Sequence, residues 1–227
     1  MYSSLRGGIA LQKANGSRKS ITVIAFLALG IGIFLAFQYY ALGADSSDFV
    51  QDKLSRMKLE DIWYEVLYLH IGTAVVAICI GWTQFVGKLR RKSPALHQGV
   101  GLLYTVCVGL SGIAGGYLSF YATGGWVSGA GFFLLSVAWL YTLIQGVRTI
   151  VVQRDVRAHR EWMIRNYALT FAAVTLRIYV PASTEVFGPD NFEACYRIIA
   201  WLCWVPNLIF AEWLLRNRKS VSAPSNR

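Results

Sequence analysis

Charge is scarce in this sequence, and histidine is scarcer. Asp, Glu, Lys and Arg make up 15% of the 227 residues, against about a quarter in an average soluble domain. Such a chain cannot cover a soluble core with solvated side chains. The catalytic signatures of soluble enzymes are missing too. There is no HExxH, no GxxxxGK[ST], no GxSxG and no glycine fingerprint in a strand context, so nothing points to metalloprotease, phosphate-loop, serine-hydrolase or dinucleotide chemistry. The four cysteines (Cys79, Cys107, Cys195, Cys203) form no CxxC pair and sit within apolar blocks. They are expected to pack as small hydrophobes and not to staple loops.

Long apolar runs are what the chain has in quantity. Hydrophobic residues account for 55% of it, and they come in blocks instead of in alternation. Blocks of about 18 or more apolar residues read as membrane-crossing helices. We expect an all-helical membrane bundle with six spans, at about residues 21–42, 63–86, 94–121, 130–152, 160–181 and 192–215. A polar, basic, disordered segment (1–20) precedes them and a polar tail (216–227) follows. The first span is read as a retained helix, because its apolar run is too long for the core of a cleaved signal peptide.

A net charge of +10 raises the question of nucleic acid, and the placement of the charges answers it. Four Lys/Arg precede the first block, four lie between Gly87 and Gln98, five between Arg148 and Asn166, and four follow Leu215. The other loops hold three, all between Asp45 and Tyr64, and Arg177 and Arg197 lie inside apolar blocks. That alternation is the positive-inside pattern of a polytopic membrane protein, here with both termini expected inside. No nucleic-acid partner is expected.

Local features fill in this plan. Val50, Leu54 and Met57 recur at helical spacing and suggest a short amphipathic helix on the outer surface. Trp63, Tyr64 and Tyr68 read as the outer interface of the second span. Ser93 before Pro94 marks a helix start, and Gly112 with Gly116 allows close helix approach in the third. The fourth span, rich in Phe, Leu, Val and Trp, is expected to face lipid. Pro206 should kink the sixth. The second, third and fifth helices are expected at the centre.

The stretch His159–Pro181 organises the functional reading. One helix across it would carry His159, Met163, Asn166, Thr170, Ala173 and Arg177 on a single face, with roughly 27 Å between its ends. Such a stripe is costly against lipid and should face other helices. His97 and His159 lie near the inner ends of the third and fifth spans, the minimum for two axial ligands of one haem b. The alternative is that both imidazoles bond to loop carbonyls or lipid phosphates. Arg157, Arg160 and Arg165, with Arg90, Arg91 and Lys92, crowd the same surface and could hold a small anion, a quinone head or an anionic lipid headgroup. On the outer side, His70, Arg177 and Arg197 are expected at similar depth, with Glu65, Glu185 and Glu193 as available partners.

Three motifs carry a family resemblance: YLHIGTAVVAICIGWTQF, SPALHQGVGLLY and AHREWMIRNYALTFAAVTLRIYVP. Across Leu67–Pro181 the chain resembles a bacterial membrane family, the domain of unknown function 2306. That resemblance implies a multi-span membrane protein and assigns no reaction. A remoter likeness is to transmembrane cytochromes b of the ascorbate-reducing type, in which histidines of alternate helices pair across the bundle. It implies electron transfer, with His97 and His159 as the matching pair. Those cytochromes use four ligands; the three histidines here leave His70 unpaired, so one haem is the expectation.

Overall fold

A computed structural model describes residues 2–56 and 58–222; of residues 2–18, 48, 49, 52, 56 and 218–222 it describes the backbone alone. Met57 and the end of the tail therefore lie outside the described residues. The chain is helical: α1 (Tyr2–Ala36), α2 (Asp48–Arg56), α3 (Asp61–Gly81), α4 (Gly87–Lys92), α5 (Pro94–Ser119), α6 (Trp126–Val151), α7 (Val156–Thr170), α8 (Ala172–Phe187), α9 (Phe192–Leu202) and α10 (Val205–Ser222). No strand occurs among the described residues. The four cysteines are free thiols. Helix α1 begins at Tyr2, so regular structure replaces the disordered segment expected there.

Among the described residues, five helical stretches are long and apolar enough to cross a membrane: Lys19–Ala41, Asp61–Phe85, Pro94–Ser119, Trp126–Val151 and Pro189–Asn217. The expected fifth span differs. It is divided at Phe171 into α7 and α8, neither of which is long enough alone. No proline or glycine causes the break. The Thr170 hydroxyl donates to the Asn166 carbonyl at 3.0 Å, and the Thr175 hydroxyl to the Phe171 carbonyl at 3.2 Å. Such back-bonds compete for helix carbonyls and bend the ladder. Pro181 does not end α8, which runs on to Phe187. The proline has no N–H to give to the Arg177 carbonyl four residues back. Pro206 acts as expected: the ladder breaks at Cys203–Trp204, between α9 and α10.

Helix α6 is packed by α5, α7 and α9 along one face, while its Phe, Leu and Val side is exposed, in keeping with the lipid contact expected of it. Its inward face is a stripe of small and hydroxylic residues, with Ser128, Gly131, Ser136, Thr142, Gly146 and Thr149 all buried. Phe133, Leu134, Val137 and Ile144 occupy the exposed side. The Thr142 and Thr149 hydroxyls donate back to carbonyls of their own helix. On α5, Gly112 packs against Leu140 while nothing approaches Gly116.

The core between α3, α5, α6 and α7 is aromatic. Tyr104, Trp139 and Tyr167 are buried together with Leu143, Leu169 and Trp204. Gly81 makes this possible: a side-chain carbon there would lie 2.6 Å from Tyr167 and 2.7 Å from Tyr104. A second cluster joins the end of α1 to α3, with Leu35, Tyr39, Val50, Trp63, Leu67 and Ile71 buried. Trp63 is thus packed into this cluster, 2% exposed. Between α1 and α2 the backbone makes a π-turn, Phe37–Ala41, which turns Tyr39 inward. Helix α2 lies across this end, and its Lys53 side chain is buried. The Lys53 ammonium donates to the Tyr121 carbonyl and, at 3.4 Å, to the Thr123 hydroxyl.

Candidate functional site

Polar groups inside the bundle fall at three levels. The middle level is a closed network of α5, α6 and α7. The Tyr104 hydroxyl donates to Asn166 Oδ1 at 2.7 Å and lies 2.8 Å from Thr170 Oγ1. Asn166 Nδ2 donates to the Trp139 carbonyl at 2.8 Å and to Thr142 Oγ1 at 2.9 Å. Trp139 Nε1 donates to Thr170 Oγ1 at 2.9 Å. The Asn166 amide is fully buried, and both its oxygen and its nitrogen are used. A buried network with its partners in place is a packing device. It explains why Asn166 and Thr170 face inward, and it asks for no ligand.

The second level is the end of the bundle that carries α4 and the α6–α7 turn, called here the basic end. Arg154 takes a left-handed φ of 54° to reverse the chain. Asp155 then caps α7, its carboxylate accepting from the Arg157 and Ala158 amides at 2.9 Å each. This cap starts the helix one turn before His159 and lays it against α6. Gly146 permits the contact, since a side-chain carbon there would lie 2.7 Å from Met163 Sδ. His159 Nδ1 meets the Gly146 carbonyl at 2.7 Å. A carbonyl can only accept, so the proton sits on Nδ1 and Nε2 keeps its lone pair. His97, on the first turn of α5, lies within electrostatic reach of His159 and of Arg90. Its Nδ1 is buried and has no hydrogen-bond partner. Ser93 begins the helix without a side-chain cap; the His97 amide bonds to the Ser93 carbonyl at 3.1 Å.

Three arginines of this end, Arg157, Arg160 and Arg165, are engaged within the chain. Arg157 pairs with Glu161 at 3.5 Å. Arg165 makes a two-pronged pair with Glu212 of α10 and stacks 4.7 Å over Trp162. Arg160 also has an interaction of its own.

The third level lies in the opposite half. His70 of α3 is clamped to α5: its Nδ1 lies 2.9 Å from the Ser111 carbonyl, and the Ser111 hydroxyl donates to the His70 carbonyl at 3.0 Å. The carbonyl contact again puts the proton on Nδ1 and leaves Nε2 an acceptor. Arg177 of α8 lies within electrostatic reach of both His70 and Tyr196. Among the described residues it has no hydrogen bond and no carboxylate partner. Arg197 stands apart, donating to the Gly124 carbonyl at 2.9 Å and pairing with Glu193 at 3.6 Å. Arg197 is thereby held at the α5–α6 turn, apart from His70. Glu65 and Glu185 are exposed.

Sequence reasoning found the histidines and Arg177 but missed their fixtures. Those are the Gly146 carbonyl for His159 and Ser111 for His70; the Glu212 partner of Arg165 was missed as well. The small-residue stripe of α6 was the available signal for Gly146. Among the described residues no group of three or more His, Cys, Asp and Glu stands ready to hold a metal ion. A family model described as a predicted membrane protein, DUF2306, matches residues 67–215. No curated protein and no solved structure matches the chain.

Proposed function

The chain belongs to the DUF2306 family of predicted membrane proteins, and on that premise we propose that it is a b-type redox protein whose His97 and His159 are the axial ligands of one haem. The observation that carries this reading is the His159–Gly146 bond. Metal-bound imidazoles characteristically donate their second ring nitrogen to a carbonyl or carboxylate, which fixes the tautomer and aims the lone pair. His159 is held in that manner before any ligand is present. The buried, unpartnered Nδ1 of His97 supports the same reading, because a burial of that kind calls for a partner from outside the chain.

Two histidines and a nearby arginine would hold such a group. His97 and His159 come from two helices that both pack on α6, and Arg90 stands near His97 with a charge suited to a carboxylate edge. When bound, a haem with two imidazole ligands would carry a single electron. The chain's own part is to orient the rings and to seal the interior with the Tyr104–Asn166 layer. We propose further that α7 and α8 cross together as a sixth span, in a bacterial inner membrane with cytoplasmic termini. The Lys/Arg distribution supports that sidedness. The competing reading is a non-enzymatic carrier or receptor for a small anion, a quinone or a lipid headgroup.

Purified protein separates the two. A reduced-minus-oxidised haem b band, abolished in both His97→Ala and His159→Ala and retained in Asp155→Ala, is the expected result. Colourless wild-type protein that takes up no added haemin would eliminate the first reading.

A further inference from the structure

The turn between α5 and α6 joins two helices that are each long and apolar enough to cross a membrane. It therefore lies at a membrane boundary, at the end opposite α4 and the α6–α7 turn. Two cationic side chains converge on it from separate helices. From α2, the buried Lys53 ammonium donates to the Tyr121 carbonyl and, at 3.4 Å, to the Thr123 hydroxyl. From α9, Arg197 Nε donates to the Gly124 carbonyl at 2.9 Å, and its Nη2 pairs with Glu193 at 3.6 Å. A cleft of about 270 Å³ opens between the two helices and the turn, lined by Lys53, Thr123, Gly124, Gly125, Glu193 and Arg197.

Two glycines build its floor. Gly124 and Gly125 have φ of 86° and 74°, a left-handed geometry that disfavours any side chain. A side-chain carbon on Gly124 would lie 3.0 Å from Arg197 and 2.6 Å from Ser128 Oγ, so its absence lets α9 close on the turn. Ser128 Oγ is fully buried beside Gly124 and has no hydrogen-bond partner among the described residues. Gly125 is also the N-cap of α6, whose first amides have no carbonyl four residues behind them. The floor thus carries the positive end of a long helix, beside Lys53 and Arg197.

We propose that this cleft binds the phosphodiester headgroup of a membrane phospholipid. Helix N-terminal amides with a lysine and an arginine beside them suit phosphate oxygens. Among the lining residues, two cations stand against one carboxylate, and a phosphodiester brings the single negative charge that balances them. Pockets for whole small molecules run from about 300 Å³ upwards, so a space of this size takes a headgroup and leaves the chains outside. Those chains have apolar surface to lie on. Phe120 and Trp126 flank the turn in sequence and are the two most exposed large apolar side chains among the described residues. Aromatic rings at this level characteristically sit among lipid headgroups.

The test is thermal unfolding of purified, delipidated protein in dodecyl maltoside, titrated with dihexanoyl phosphatidylglycerol. It stands independently of haem, so its failure leaves the His97–His159 reading untouched. The wild type should gain several degrees and saturate. Dihexanoylglycerol, which lacks the phosphate, should give no shift. Glycerophosphoglycerol, the same headgroup without chains, should bind about tenfold more weakly or worse, because it buries no apolar surface. Arg197→Gln alters a half-exposed side chain and should fold, with apparent affinity for the lipid about tenfold weaker. Lys53→Gln should weaken it further, and Lys88→Gln at the basic end should leave it unchanged. Should Lys53→Gln fail to fold, the wild type and Arg197→Gln decide. No saturable shift, an equal shift with dihexanoylglycerol, or a folded Arg197→Gln protein that binds as the wild type does overturns the proposal. Equal affinity for glycerophosphoglycerol overturns the lipid and makes the ligand a soluble phosphodiester.

Discussion

The middle of the bundle and its two ends handle buried polar groups in opposite ways. In the middle, Tyr104, Trp139, Asn166 and Thr170 supply donors and acceptors to one another, and the layer closes on itself. Toward the ends, His97 keeps a buried nitrogen without a partner, and Arg177 meets no counter-charge among the described residues. A closed layer holds helices together. An open one costs stability and persists where something from outside completes it.

The largest effect that would break this contrast is in the middle layer. Asn166→Leu removes the partner of the Tyr104 hydroxyl and two acceptor contacts on α6. At about 1–3 kcal/mol for each buried group left unpaired, thermal unfolding in detergent should show a loss large enough to threaten folding. A loss below about 1 kcal/mol would mean that the layer is dispensable.

At the basic end, Glu212→Gln should cost less. The partner Arg165 is mostly buried, but Glu212 is 36% exposed, so solvent screens part of the pair. We expect about 1–2 kcal/mol, discounted from the fully buried case. A double-mutant cycle with Arg165→Gln should return a coupling of that size, and a coupling near zero would show that α10 is held by its apolar contacts alone.

The smallest effect sharpens the comparison most. Asp155→Ala removes the cap of α7 and should cost about 1 kcal/mol. It should leave the His159–Gly146 bond in place, because Gly146 and Met163 fix that contact by packing. Amide exchange should speed up over the first turn of α7 and not beyond it. Faster exchange extending past Met163 would show that the cap itself positions the histidine.

Much of this was legible in the sequence, and the failures have physical reasons. Apolar blocks gave the helix positions because burial in lipid leaves a continuous signature. Pro94 and Pro206 marked a start and a break because a missing N–H acts locally. The split at Phe171 was not visible, since two threonine back-bonds produce it and either is tolerated in an unbroken helix. The packing face of α6 was missed because Phe, Leu and Val dominate its composition, while Ser128, Ser136, Thr142 and Thr149 define that face. Counting depth along helices grouped His97 with His159, and His70 with Arg177 and Arg197. It could not tell which acidic residues would come near, and Arg197 went to the turn for that reason.

The π-turn at Phe37–Ala41 has a consequence at the level of insertions and deletions. A π-turn is an α-helix carrying one residue more than its turn needs. Deleting a single residue there would restore a regular ladder, with no broken helix and little loss of span. What would change is rotation, by about 100° for everything on one side of the deletion. Tyr39 would leave the interior, and the Tyr40 hydroxyl would leave the Tyr68 carbonyl it meets at 2.6 Å. A chain shortened by one residue at that place would keep the span and lose the inward tyrosine.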